Sequence, residues 1–180
     1  MSADPAAVAA ADPCARLVLD TNVWLDVLVF NDRRVAELCA AIAGGRAVAF
    51  TDQACAGELW RVLAYPLGRF TLDAAAREHA WARFLALARP WSDPAPASAR
   101  PRLPRCTDPD DQGFLELSLA CGADALVTRD RALLRLGNPR HALPFVIVGP
   151  GSLPGGRLRP AGSPTGHRPV RPRAQPPDIA

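Results

Sequence analysis

Asp20 closes a short apolar run, Leu17-Val18-Leu19, and Asp130 stands just beyond another, Ala125-Leu126-Val127-Thr128. Between them lie Glu58, inside an otherwise apolar helical stripe, and the acidic stretch Asp108-Pro109-Asp110-Asp111. In open parallel α/β sheets, ligand chemistry gathers just outside the carboxyl ends of the strands. Carboxylates delivered to that edge repel one another. At about 4 Å and an effective dielectric of 20, one pair costs about 4 kcal/mol. Converging acids must therefore take up protons or hold a cation. An all-oxygen donor set suits Mg²⁺ or Mn²⁺, whereas zinc calls for His or Cys ligands. The chemistry in prospect is that of a metal-dependent enzyme.

Each acid also has a plainer reading. Asp20 and Asp130 could simply cap the helices that follow them, and Asp108 is well placed as an N-cap, with Pro109 at the first helical position. Asp110 and Asp111 would then face the positive helix end. Asp111, however, shares a helical face with Phe114, Leu115 and Ser118, which turns it towards the sheet. Glu58 falls in register with Cys55, Leu59 and Val62, and glutamate is rarely buried without a partner or a metal. The alternative is a helix rotated so that Glu58 meets water or pairs with Arg61. Taken together, the inward acids Asp20, Glu58, Asp111 and Asp130 outweigh their separate explanations, with Asp108 as a further contributor.

The elements that must position these side chains alternate strand and helix. Strands are expected at 17–19, 47–50, 125–128 and 145–148. Helical segments are expected at 23–29, 33–43, 53–64, 71–89 and 108–121, with a short one from Arg131. Asn31-Asp32 and Thr51-Asp52 serve as caps, and Gly44-Gly45 as a stop. The helix ending near Arg89 should bury Trp81, Phe84, Leu85 and Ala88, while Trp24, Trp60 and Trp81 read as packing residues. Residues 90–105, rich in Pro, Ala and Arg, read as a loop that could hide a short strand. This alternation predicts an α/β fold, a three-layer α/β/α sandwich with a mainly parallel central sheet.

Composition sets the boundaries. Residues 1–15 read as a flexible lead-in, 16–150 as the folded domain, and 151–180 as a disordered Pro/Gly/Arg-rich tail. In that tail five arginines face Asp178, a balance of +4, so the rest of this +3 chain is close to neutral. Lysine is absent, and every fixed cation is a planar arginine. The odd cysteine count, without zinc or redox spacing, fits free thiols in a reducing cytoplasm. No apolar stretch reaches the roughly 18 residues of a membrane span.

Leu19-Asp20-Thr21-Asn22, Gly57-Glu58-Leu59, Asp108-Pro109-Asp110-Asp111-Gln112-Gly113-Phe114-Leu115-Glu116 and Val127-Thr128-Arg129-Asp130 occur in the order of the motifs of PIN-domain ribonucleases. Over about residues 16–150 the chain resembles this family, in particular its bacterial group of toxin components from toxin–antitoxin systems. The resemblance implies a Mg²⁺- or Mn²⁺-dependent endoribonuclease with Asp20, Glu58, Asp111 and Asp130 as metal-binding and catalytic acids. Asn22 and Thr128 would be polar supports. It further implies RNA as substrate, with single strands favoured, a small antitoxin that blocks the site, and self-association into homodimers.

The expected chemistry is in-line attack of a metal-activated water on the phosphodiester, with Arg129, Arg131, Arg33 or Arg34 contacting phosphates. Rival enzymes fit less well. A haloacid-dehalogenase-type phosphatase needs a second Asp where Asn22 stands, and a receiver domain needs a lysine. A PIN-like module that binds RNA or protein without cutting is the remaining alternative.

Overall fold

The computed structural model describes residues 14–68, 71–95 and 103–152. The lead-in before Cys14 and nearly all of the expected basic tail lie outside the described residues. At the centre is β1, Ala15–Leu19, whose apolar side chains are buried on both faces of the sheet. Such a run suits an interior parallel strand. It pairs with β2, Ala47–Thr51, on one side and with β4, Ala125–Val127, on the other. β3, Ala88–Pro90, and β5, Val146–Val148, form the edges, giving the order β3-β2-β1-β4-β5 with every neighbour parallel.

Alternation along β1 divides the core. Leu17 and Leu19 face one cluster, shared with Trp24, Leu38, Leu59, Leu63 and Phe84. Val18 faces the other, shared with Phe50, Phe114, Leu115, Leu126 and Ile147. Helices therefore cover both faces in three layers. The first face carries α1 (Thr21–Leu25), α2 (Ala36–Ala43), α3 (Gln53–Leu63) and α4 (Ala74–Leu87). The second carries α5 (Gln112–Ala120) and α6 (Arg131–Leu136). The tryptophans do pack. Trp24 meets Phe84 edge-on, Trp81 stacks on Phe84, and Trp60 meets Trp81, with centroids 4.9–5.1 Å apart.

Several local expectations need correction. The segment after α1 is a π-helical turn, Asp26–Phe30, ending at Asn31 in the left-handed region. The next helix begins as a 3₁₀ turn, Arg33–Val35, capped by Asp32. α4 starts after the cap Asp73 and stops at Leu87, where the chain turns extended to make β3. Ala88 is therefore in a strand, and Leu85 is 49% exposed rather than packed. The edge position tolerates Pro90, which cannot donate to a ladder.

The acidic stretch departs most. Asp108 does not cap a helix. Its carboxylate accepts from the Asp110 backbone N–H, a turn closes from Gln112 N–H to the Pro109 carbonyl, and α5 begins only at Gln112. Asp111 occupies the N-cap position without a capping bond of its own.

Gly137 ends α6 against β5, and a Cβ there would lie 3.2 Å from Ile147 Cβ and from the Leu134 carbonyl. Gly137→Ala is expected to destabilise the domain by about 1–3 kcal/mol through overpacking, read by urea unfolding. An unchanged midpoint would mean that β5 yields freely.

Candidate active site

The register of the central strands builds the site. Leu19 lies beside Val127, and the Asp20 N–H donates to the Val127 carbonyl, so the chain segments leaving β1 and β4 run side by side at the carboxyl edge. Asp20 is 2% exposed. One of its oxygens accepts from the Val23 N–H at 2.8 Å, capping α1, and the other accepts from the Thr128 hydroxyl. Thr128 Oγ1 in turn accepts from the Asp130 N–H at 2.9 Å. One fully buried hydroxyl thus joins the Asp20 carboxylate to the backbone of Asp130. Burial pushes the Asp20 carboxyl above its usual range, partly offset by the bonds from Thr128 and Val23.

Asp130 caps α6, accepting from the Ala132 and Leu133 N–H groups. The plain capping reading therefore holds for this side chain. Glu58, half-buried on α3, accepts from the Thr21 hydroxyl at 2.7 Å. Its pKa is raised by burial, then by Asp110 and Asp20, against the lowering effects of Thr21 and Arg61. The bond to Thr21 settles which way its helix faces: towards the residue beside Asp20.

Asp111 records the crowding. Burial, followed by the charges of Asp130, Asp108, Asp20 and Glu58, pushes its carboxyl up to about 6. Asp111 thus feels acids carried by the end of β1, α3, the turn before α5 and the end of β4. Even so, among the described residues no three His, Cys, Asp or Glu side chains stand in a ready-made metal-binding group. Asn22 is exposed and lines a cleft beside Asp130.

Three residues escaped the sequence reading. Thr21 was legible only as the neighbour of Asp20. Asp26 and Asp32 looked like helix and cap residues. In the fold, Asp26 is 3% exposed, with both oxygens 2.7–2.8 Å from Arg129 Nη1, and Asp32 reaches the same nitrogen at 4.0 Å. Arg129 is thus tied to the π-helical turn. Arg34 pairs with Asp32 at 2.6 Å, which holds that carboxyl down at about 2. Both arginines are thus paired within the fold, with the Arg34 side chain still largely exposed.

A parallel sheet flanked by helices on both faces, with acids gathered where its central strands end, defines an α/β domain of the kind that works on ligands at the carboxyl edge. The family is specific. The PIN domain model matches residues 16–132, and the chain belongs to the PIN domain family. Among solved structures, the fold is similar to that in the crystal structure of VapBC2 from Rickettsia felis bound to a DNA fragment from their promoter. That likeness has a TM-score of 0.54 at 12% identity, covering 74% of this chain and 98% of that one. A structure of FitAB bound to the IR36 DNA fragment matches with a TM-score of 0.49 at 15% identity, over 78% and 99%. The comparison with curated proteins finds no match.

Proposed function

We propose that residues 16–150 form a Mg²⁺- or Mn²⁺-dependent endoribonuclease acting on single-stranded RNA. Its role is that of the toxin in a toxin–antitoxin pair, held in check by a small protein partner. The observation that carries this reading is the environment of Asp111, where burial first, and then the charges of Asp130, Asp108, Asp20 and Glu58, push the carboxyl up to about 6. Membership of the PIN family and the order of the motifs support the nuclease assignment. The fold likeness to the VapBC2 complex supports the toxin role.

The donor set fits a hard dication. All the candidate groups are carboxylates, an oxygen donor set that suits Mg²⁺. That ion keeps several waters and uses one or two carboxylates together with substrate phosphates. Asp20, Glu58, Asp111 and Asp130 are the residues that would hold it, with Asp108 within reach. When bound, the ion supplies Lewis acidity towards water and the phosphate oxygens. The protein's own work is positioning. Thr128 fixes Asp20 and the backbone before Asp130, and Thr21 fixes Glu58, so these acids need little rearrangement. Asn22, exposed beside Asp130, is placed to hydrogen-bond the RNA.

Protons and metal should compete at Asp111. Ligation needs the carboxylate, which becomes the major form above about pH 6. Mn²⁺ affinity, measured by titration calorimetry, is expected to fall as pH drops from 7 to 5. The stability effect has the opposite sign. A carboxyl raised in the fold is most favourable when protonated, so its stabilising contribution is present below the unfolded value of 3.8. That contribution is lost as pH rises through about 6. Asp111→Asn should therefore raise the metal-free melting temperature at pH 7 while weakening Mn²⁺ binding and RNA cleavage.

The competing reading is an inert PIN-like binding module, in which Asp20 and Asp130 serve only as the helix caps they also are. Mn²⁺ binding that ignores Asp111→Asn, together with no cleavage of single-stranded RNA, would decide for it.

A further inference from the structure

Residues 131–152 carry Arg131, Arg135 and Arg140 and no Asp or Glu. This stretch begins immediately after Asp130, at the acidic edge. We propose that the outward side of α6 and the 3₁₀ turn that follows it, Pro139–His141, form a phosphate-binding face for the RNA strand beside that edge. The proposal rests on the nuclease reading and deepens it by saying what anchors the strand.

Helix geometry sets these arginines on the surface. Arg131 and Arg135 are about one turn apart on α6, roughly 6 Å along the axis, and share a side. Leu133 lies on the opposite side, 1% exposed, in the cluster that also holds Phe145 and Ile147. Leu134 and Leu136 pack against the same cluster. The helix is therefore pinned with both arginines outward, and both are exposed. Asp130 starts α6 by accepting from the Ala132 and Leu133 N–H groups, so Arg131 stands at the acidic end of this face. Arg140, also exposed, extends it past the end of the helix. Its turn is capped by the Asn138 side chain, and the Asn138 N–H meets the Arg135 carbonyl at 3.4 Å.

Other arginines are engaged inside the fold. Arg129 pairs with Asp26 and Arg34 with Asp32, Arg83 donates to the Val27 and Leu28 carbonyls, and Arg16 lies over the Phe50 ring. Among the described residues, the side chains of Arg131, Arg135 and Arg140 make no ion pair, hydrogen bond or ring contact. Three unpaired guanidinium groups without an acid in their own segment make a local excess of positive charge. Planar guanidinium groups bind phosphates bidentately. The neighbouring acids select the occupant: an RNA strand that reaches Asp130 is repelled there, and cations starting at the next residue offset that repulsion.

The test uses the full chain in Ca²⁺ and a short labelled oligouridylate, with binding followed by fluorescence anisotropy over a range of salt. Log affinity for a single strand falls with log salt by about 0.7 per phosphate neutralised. Each of Arg131→Gln, Arg135→Gln and Arg140→Gln should therefore weaken binding about fivefold in about 0.1 M salt, and the triple variant about a hundredfold, with a salt slope shallower by about 2. Arg46→Gln, at an exposed arginine just before β2 on the amino edge, should leave affinity and slope unchanged. Thermal unfolding should be unaltered in every variant, since these are surface positions. A triple variant with wild-type affinity and slope, a loss no larger than that from Arg46→Gln, or no binding of the RNA by the wild type would each overturn the face. A loss seen with duplex DNA but not with the RNA would give the arginines another partner and overturn it as well. A protein that binds RNA through these arginines but cleaves none with Mn²⁺ would retain the face and lose the nuclease reading. Cleavage whose salt dependence ignores the triple substitution would do the reverse.

Discussion

Asp20→Asn is expected to cut the rate of RNA cleavage by about 10²–10³-fold, the usual cost of removing one preorganised electrostatic group from an active site. The fold should survive. The asparagine oxygen can still accept from Val23, and its amide can donate to the Thr128 hydroxyl, so both buried bonds retain a partner. Burial disfavours the charge of the native carboxylate, so replacing it with a neutral group of the same size should leave the melting temperature equal or higher. Single-turnover cleavage of a labelled RNA beside thermal unfolding separates the effects. Wild-type cleavage by the variant would remove Asp20 from the chemistry, and lost activity with a collapsed melting temperature would reduce it to a structural cap.

The second large effect concerns stability. Arg129→Ala leaves Asp26, 3% exposed, without its counter-charge. Breaking a buried pair by removing one partner costs about 3–5 kcal/mol, and the partial exposure of Arg129 argues for the lower end. At about 2–4 °C per kcal/mol for a domain of this size, the melting temperature should drop by roughly 6–12 °C. An apolar double replacement, Asp26→Leu with Arg129→Leu, should recover most of that loss. Arg34→Ala, which breaks an exposed pair with Asp32, should change little. A drop from Arg129→Ala no larger than that from Arg34→Ala would show that water reaches Asp26 freely.

These two positions mark what could and could not be read from the chain. Strands β1, β2 and β4 were legible because interior parallel strands are continuous apolar runs, and Asp20 was legible because it ends one. β3 was not. Ala-Arg-Pro contains no strand-favouring residue, and its pairing with β2 is a tertiary effect at an edge. Asp26 was hidden for another reason. It lies in Leu25-Asp26-Val27-Leu28-Val29-Phe30, where a 3.6-residue period gives no hint of a π turn or of an arginine about a hundred residues later. The inward face of α3 was readable from periodicity, although the hydroxyl that holds Glu58 comes from another element. Asp108 misled because Asp-Pro is both a good helix start and a good turn, and the backbone N–H of Asp110 claimed its carboxylate first.

The bond between Thr128 and Asp20 spans 108 positions, and β1 obtains its β4 neighbour only from the last third of the chain. A polypeptide still emerging from the ribosome has Asp20 but lacks the strand and hydroxyl that fix it. Pairings between such distant segments also form late in folding. Whatever the acids at this edge do, they can act together only once the last third of the chain has joined the sheet.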